Sequence, residues 1–238
     1  KYKKIDFIIN SGGEVDHKNK KKVFSSHFLG VKNLCVIANE KKIKRFIQFG
    51  SSLEYGKIRS PHKESFKCLP ISDYAKAKYL ATKHLINLRS KNNFPALVVR
   101  PYQVYGPQQD INRFIPIVIK HCLTNEKFPC SNGIQSRDFL YITDFVKCVY
   151  KLLLIKDMPP QIINIGSGKV KKILNVIKFI KRIIKKGKPE FGKIKLRKEE
   201  NLLTYPNTQI LKETINFTSV TSFEKGIKKT INYYKRIV

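Results

Sequence analysis

The sequence predicts an α/β protein built on a parallel sheet. Three short apolar runs carry that reading: Ile5-Asp6-Phe7-Ile8-Ile9-Asn10, Arg45-Phe46-Ile47-Gln48-Phe49-Gly50 and Pro95-Ala96-Leu97-Val98-Val99-Arg100. Each ends in a turn signal, and stretches of helical length separate them. Strands alternating with helices in this way argue right-handed β-α-β crossovers. At 238 residues and 42% hydrophobic content, the chain suits one large domain or two intimate small ones with a real core.

In chain order, the first strand runs into Ser11-Gly12-Gly13, a tight turn. A helix is expected over 20–40, with Val23, Leu29, Leu34, Val36 and Ile37 as candidate core contacts. The second strand leads into Ser51-Ser52-Leu53-Glu54-Tyr55-Gly56. A polar loop to Pro70 precedes a helix that holds Tyr74 and Lys78 and reaches about residue 91. Pro101 closes the third strand. The second half changes texture. It offers a helix over 113–123 interrupted early by Pro116, a strand over 136–142, and a helix over 144–154 capped by Thr143 or Asp144. A strand over 162–165 then ends in Gly166-Ser167-Gly168. Ile173, Val176, Ile177, Ile180 and Ile184 form a helical stripe opposite Lys178, Lys181, Arg182 and Lys185. Such a helix fits an anionic membrane surface, or, as a soluble α/β chain favours, it packs on a core. A short strand over 191–195 and a helical tail over 211–234 complete the expectation.

Composition narrows the function classes. No run of about 18 apolar residues exists, so no membrane span is expected. The first residues enter an apolar strand directly, without a leader pattern. Five scattered cysteines make neither a disulfide framework nor a Cys-x-x-Cys metal site, which suits a reducing, cytoplasmic setting. No metal is expected. The net charge of +31 invites a nucleic-acid reading. Against it, only nine of the 48 basic residues are arginine, the residue favoured for bidentate phosphate and base contacts, and the lysines run along the whole chain. No specific nucleic-acid partner is therefore expected, although the surface attracts anions in general.

Chemistry concentrates where an open parallel sheet places it, beyond the carboxyl ends of the strands. Tyr74 and Lys78 stand four apart on one helix face. An ammonium so placed favours the phenolate and is expected to lower the tyrosine pKa, which suits proton exchange with an alcohol. The same spacing also occurs as a packed tyrosine beside a solvated lysine. Ser51 supplies a hydroxyl at the neighbouring strand end. The natural partner of such a set is a hydride acceptor, which no side chain provides, so a nicotinamide is implied.

With these residues in hand, the chain resembles the extended short-chain dehydrogenase/reductases, the NAD-dependent nucleotide-sugar epimerase/dehydratase group. Six segments carry the resemblance in order: Ile8-Ile9-Asn10-Ser11-Gly12-Gly13; Gly50 to Gly56; Pro70-Ile71-Ser72-Asp73-Tyr74 with Lys78; Arg100-Pro101-Tyr102-Gln103-Val104-Tyr105-Gly106-Pro107; Ser136 to Asp144; and Asn164 to Gly168. It implies a Rossmann-like doubly wound parallel sheet, N-terminally truncated, with a small C-terminal α+β substrate-binding part. The division would be 1–105 with 138–165 returning to it, against 106–137 and 166–238. By the resemblance, Ser51, Tyr74 and Lys78 are catalytic. Ser11, Gly12, Gly13, His27, Tyr74, Lys78 and Tyr102 face NAD, with NADP left open. Ser51, Gln103, Arg113 and Arg137 face a nucleotide-diphosphate sugar, and Arg137 pairs with the diphosphate, as a guanidinium fork suits. The competing reading of Arg137 is a surface salt bridge to Asp138 or Asp144.

Three departures from the family pattern shape the expectation. The glycine-rich turn that seats the pyrophosphate on a helix N-terminus is not in the sequence, and on the order of two βα units, roughly 60 residues, would precede Lys1. His27 stands where the family usually has Asn. The acidic pair that follows the Ser/Thr in the dehydratase subgroup is here Ser52 and Leu53, with Glu54 displaced by one and turned to the other face of an extended segment. The implied activity is therefore C4 epimerisation of a UDP-hexose for surface polysaccharide synthesis. A 4-keto-6-deoxy sugar nucleotide reductase or a dehydratase stays open, as does an inactive remnant acting as a binding module. A homodimer through the helices after the Ser motif and after Tyr74 is also implied, while core packing accounts equally for Tyr79, Leu80 and Leu85.

Overall fold

A computed structural model describes residues 4–16, 18–196 and 200–238. Four strands, β1 (Phe7–Asn10), β2 (Arg45–Phe49), β3 (Ala96–Pro101) and a later strand, Ile162–Ile165, form a parallel sheet with β3 beside the last. Strands β2 and β3 are buried almost throughout, as central strands covered on both faces must be.

The segment after β1 is not one regular helix. Helix α1 (Lys20–Phe24) gives way to a π turn at Ser25–Leu29, then to α2 (Gly30–Glu40). The wider turn adds a residue per hydrogen bond and rotates the face that follows. Val31, Cys35 and Ala38 are therefore buried, while Leu29, Val36 and Ile37, expected in the core, are exposed. Helix α3 (Asp73–Asn92) starts where the Ser72 hydroxyl accepts from the Ala75 N–H and ends at Asn93 in the left-handed conformation. Its alanines at 75, 77 and 81 let it lie close to the sheet.

Beyond β3, strand β4 (Gln103–Tyr105) joins a second sheet. Helix α4 (Phe114–Leu123) is unbroken by Pro116, which is its third residue. The first four N–H groups of a helix have no partner inside it, so proline there forfeits nothing. Strand β5 (Lys127–Pro129) precedes β6 (Ser136–Tyr141), which pairs with β4 in parallel. Helix α5 (Ile142–Leu154) begins two residues before the expected start at Asp144 and has no side-chain cap. Asp144 instead accepts from the backbone and hydroxyl of Thr221, tying the tail to this helix. Strand β7 (Ile162–Ile165) is the fourth member of the main sheet.

Strand β8 (Val170–Lys172) runs antiparallel to β6, and α6 (Ile173–Ile184) buries Ile173, Val176, Ile177 and Ile180. Its apolar stripe is thus core, not a membrane face. The strand expected over 191–195 lies earlier: β9 (Lys188–Glu190) pairs with β5, and Gly192 turns the chain at φ +84°. Strand β10 (Leu203–Thr204) pairs with β6, and the tail is two helices, α7 (Gln209–Ile215) and α8 (Phe223–Tyr234).

Helices α2 and α3 cover one face of the main sheet and α5 and α7 the other, each with its own apolar cluster. A third cluster joins α4, α6 and α8 to β4, β5 and β6. No described helix is long and apolar enough to cross a membrane.

Candidate active site

Ser51 sits one residue past Gly50, the turn that ends β2. A Cβ at Gly50 would lie 2.5 Å from a carboxylate oxygen of Glu54. Ser51 is extended and caps a short 3-10 turn, Ser52–Tyr55. Its Oγ accepts from the Leu53 N–H at 3.2 Å, and its own N–H donates to Glu54 Oε1 at 2.8 Å. That reciprocal pair fixes the Ser51 hydroxyl at the strand end.

Tyr74 lies in the first turn of α3, half-buried, and the Ser51 side chain lies close enough to its phenol to act on its proton. Lys78, one turn on, is buried. Its ammonium donates to the Phe49 carbonyl at 2.7 Å and stands 5.9 Å from the Tyr74 ring centre. Burial brings the Lys78 pKa down to about 8, although the Glu54 charge opposes the fall. The lowered tyrosine pKa expected from the pair is not realised. Burial pushes the Tyr74 phenol above the ordinary tyrosine value; the Ser51 hydrogen bond and the Arg113 charge pull it down, and the Glu54 charge raises it further. Desolvation is the largest of these, so the phenol keeps its proton at neutral pH.

The turn after β1 meets this centre through His27. The Asn10 side chain accepts from the Gly12 N–H at 3.1 Å and donates to Gln48 at 2.8 Å. A Cβ at Gly13 would stand 1.9 Å from the His27 ring, so only glycine allows the approach. His27 lies in the π turn, its Nε2 3.0 Å from the Glu14 carbonyl oxygen. Its ring meets the Tyr74 ring edge-on at 4.9 Å. Ser11, Gly12 and Gly13 are exposed beside it. Tyr102, in contrast, is buried: its hydroxyl meets His62 Nδ1 at 2.9 Å, its N–H donates to the Ile165 carbonyl at 3.1 Å, and its carbonyl accepts from the Val104 N–H at 3.0 Å.

The four residues assigned to substrate fall in two places. Ser51 and Arg113 belong with Tyr74, Arg113 through its charge. Gln103 and Arg137 line a cavity of about 450 Å³ walled by Phe114, Phe128, Phe139 and Ile177. Arg137 donates to the Ser136 carbonyl oxygen at 2.8 Å and forms an ion pair with Glu200. Neither competing partner holds it. Asp138 accepts from the Ser167 and Gly168 backbone, and Asp144 is engaged by Thr221.

Sequence reasoning missed a buried polar layer under the centre. Glu54 is not on the far face of an extended segment; the 3-10 turn folds it inward, fully buried, against Arg100. The Ser51-x-x-Glu54 spacing, which reads as a capping box, was the available signal. Tyr55 donates to Asn164 at 2.8 Å, and Asn164 donates to the His62 carbonyl oxygen at 3.1 Å. Nothing in the local pattern marks those long-range contacts.

The residues fit the nicotinamide-ribose end of a dinucleotide: a lysine ammonium beside the phenol, with the exposed Ser11-Gly12-Gly13 turn alongside. A doubly wound sheet with a serine, tyrosine and lysine at its carboxyl edge defines a Rossmann-like enzyme fold. The chain belongs to the NAD-dependent epimerase/dehydratase family, whose model matches residues 1–166. It is similar to dTDP-D-glucose 4,6-dehydratase of Bos taurus, 28% identical over 213 residues that make up 87% of this chain and 60% of that protein. It is also similar to UDP-glucuronate 4-epimerase of Thermodesulfobacterium geofontis, 27% identical over 97% of this chain and 72% of that protein. Among solved structures, UDP-glucuronic acid 4-epimerase from Bacillus cereus with UDP-glucuronic acid and NAD superposes with a TM-score of 0.92 at 22% identity, over 98% of this chain and 76% of that one. The chain spans about 60% of the length of the bovine and human dehydratases it matches.

Proposed function

We propose that this chain carries the proton-transfer centre of an NAD-dependent nucleotide-sugar enzyme, acting at C4 of a UDP-hexose as a 4-epimerase. The observation that carries the reading is the convergence of the Ser51 side chain, at the end of β2, on the Tyr74 phenol, one helical turn from the Lys78 ammonium. NAD, when bound, supplies the hydride acceptor and donor. Tyr74, standing as the phenolate once its own proton has left to solvent, takes the proton of the sugar C4 hydroxyl as that carbon is oxidised and returns it as the carbon is reduced on the other face. Ser51 holds the same oxygen, and Lys78 supplies positive charge beside the phenolate that forms. Gln103 and Arg137 in their cavity hold the nucleotide end, with Arg113 on the approach to Tyr74. Residues 1–105 with 138–165 serve the cofactor, and 106–137 with 166–238 the sugar nucleotide. Ser52 and Leu53 after Ser51 favour epimerisation over dehydration, since neither carries a carboxylate.

Two further proposals accompany this reading. Five buried, unbridged cysteines support a reducing, cytoplasmic setting, where such an enzyme would serve polysaccharide synthesis. Exposed Val36 and Ile37 on α2 and Leu80 on α3 support a homodimer through these helices.

The test is to incubate the chain with NAD and with UDP-glucose, UDP-galactose and UDP-glucuronate in turn, following anomeric protons by NMR. Appearance of a C4 epimer is expected. A 4-keto-6-deoxy product would replace the epimerase reading by a dehydratase. No turnover across the panel, with NAD shown to be bound, would overturn it.

A further inference from the structure

We infer that Glu54 is a positioning residue that sets where Ser51 and Tyr74 meet, by clamping the three elements of the centre to one buried carboxylate. This rests on the proton-transfer reading above. Glu54 Oε1 accepts the Ser51 N–H at 2.8 Å. Oε2 accepts the Thr82 hydroxyl at 2.9 Å and Arg100 Nε and Nη2 at 3.1 and 2.8 Å. Residues 74, 78 and 82 follow at four-residue steps, so Thr82 lies on the α3 face that carries Tyr74 and Lys78. One carboxylate therefore joins the Ser51 turn, the α3 helix and the end of β3.

A buried ion pair is by itself weak evidence for stability, because desolvating both charges offsets their attraction. Here the pair is placed where a neutral packing solution would serve the fold as well but would leave Ser51 and α3 untied. Arg100 neutralises the carboxylate and stacks on the Tyr55 ring at 4.6 Å, so the clamp is itself held rigid. The Glu54 charge also faces the two titrating groups of the centre, acting on Tyr74 together with Arg113 and on Lys78. A loosened clamp lets the hydroxyl and phenol drift apart, and misplacement of about 1 Å at a reacting centre is enough to lose on the order of a hundredfold in rate.

Thr82→Val tests the tether without touching the ion pair, and Thr82→Ser is the conservative rescue. With wild-type turnover in hand, Thr82→Val is expected to lower kcat roughly tenfold to a hundredfold with KM within about twofold. Thr82→Ser is expected to restore it, and the melting temperature should stay within a few degrees for both. Wild-type kcat in Thr82→Val, or a loss that Thr82→Ser does not restore, would overturn the inference.

A second readout needs no substrate. Tyrosine labelled at Cζ, with the Tyr74 signal assigned by Tyr74→Phe, reports the phenol titration by NMR in the chain alone. In Thr82→Val, which loosens the tether and leaves the buried charges in place, Tyr74 is expected to titrate higher than in the wild type, because the Ser51 hydroxyl that pulls it down drifts away, and Thr82→Ser is expected to restore it. An unchanged titration in Thr82→Val sinks the inference. If the wild type turns over no sugar nucleotide, the proposed function fails, while the phenol titration still tests the clamp.

Discussion

Around Ser51, Tyr74 and Lys78 nearly every polar group is held by a neighbour fixed to the main chain. Glu54 takes a backbone N–H, Lys78 gives to a backbone carbonyl, and Gly13 and Gly50 admit side chains that a Cβ would exclude. Around Arg137 the construction is the reverse. Aromatic and aliphatic walls from four elements enclose a cavity of about 450 Å³, and its main charge is held by one ion pair from a distant segment. The first region is rigid, as the proposed movement of one proton asks. The second is a shaped space whose Arg137, on the proposed reading, exchanges Glu200 for a diphosphate.

That contrast is broken most severely at Tyr74. Tyr74→Phe removes the exchanging proton and keeps the ring against His27. Turnover is expected to fall by about a hundredfold to ten-thousandfold with the fold intact, measured by the NMR assay and circular dichroism. If Tyr74→Phe turns over at the wild-type rate, the phenol is not the acid/base and the first region is only structure.

The next largest effect lies beneath it. Arg100→Leu leaves the Glu54 carboxylate buried without its counter-charge, and breaking one side of such a pair costs about 3–5 kcal/mol. Urea unfolding reads this directly. The Glu54→Gln/Arg100→Met double variant is expected to recover most of it, because no unpaired charge remains. A small loss in Arg100→Leu would mean that water reaches Glu54 and that the region is less rigid than described.

How far each region was legible follows from the same difference. Segments such as Gly50 to Gly56 and Ser72 to Lys78 are local, so spacing gave the Tyr/Lys pair and the family resemblance singled out Ser51 as the hydroxyl beside it. The strand runs were local too, and β2, β3 and β7 fall within a residue or so of expectation. Legibility ended where a distant residue decided. The π turn rotated α2, so that Val36 and Ile37 lost the core to Val31 and Cys35. Thr221 took Asp144 from its expected capping role, and Glu200, 63 residues away, took Arg137. The Tyr74 pKa was misjudged for the same reason: the burial that raises it is built by other elements, the His27 ring among them.

The cavity region should respond in binding more than in rate. Arg137→Met is expected to raise the KM for a UDP-sugar roughly tenfold or more, with kcat little changed, since a charge-assisted hydrogen bond lost from uniform binding acts on KM. Glu200→Gln moves the other way. It weakens the grip on Arg137, and KM is expected to fall a fewfold. Titration calorimetry with UDP checks both. If Glu200→Gln weakens UDP binding, the ion pair orients Arg137 for the ligand instead of competing with it.

The smallest effect is a titration. Lys78 in the folded chain sits near pKa 8, below its ordinary 10.5, because burial disfavours its charge. Below pH 8 both folded and unfolded chains hold that proton, and folding carries the full desolvation penalty. Between pH 8 and 10.5 the unfolded chain binds the proton and the folded chain does not, so this group makes stability rise with pH across that window. Many other lysines titrate nearby, so the signal is the difference between the wild type and Lys78→Met, whose uncharged chain of similar length has no proton to lose. The unfolding free energy of the wild type relative to Lys78→Met is expected to be flat up to pH 8 and to climb above it. The same group should give kcat/KM a descending limb near pH 8, as the cation beside Tyr74 is lost. A flat stability difference through pH 10 would mean that Lys78 keeps its proton in the folded chain, with the Glu54 charge outweighing its burial.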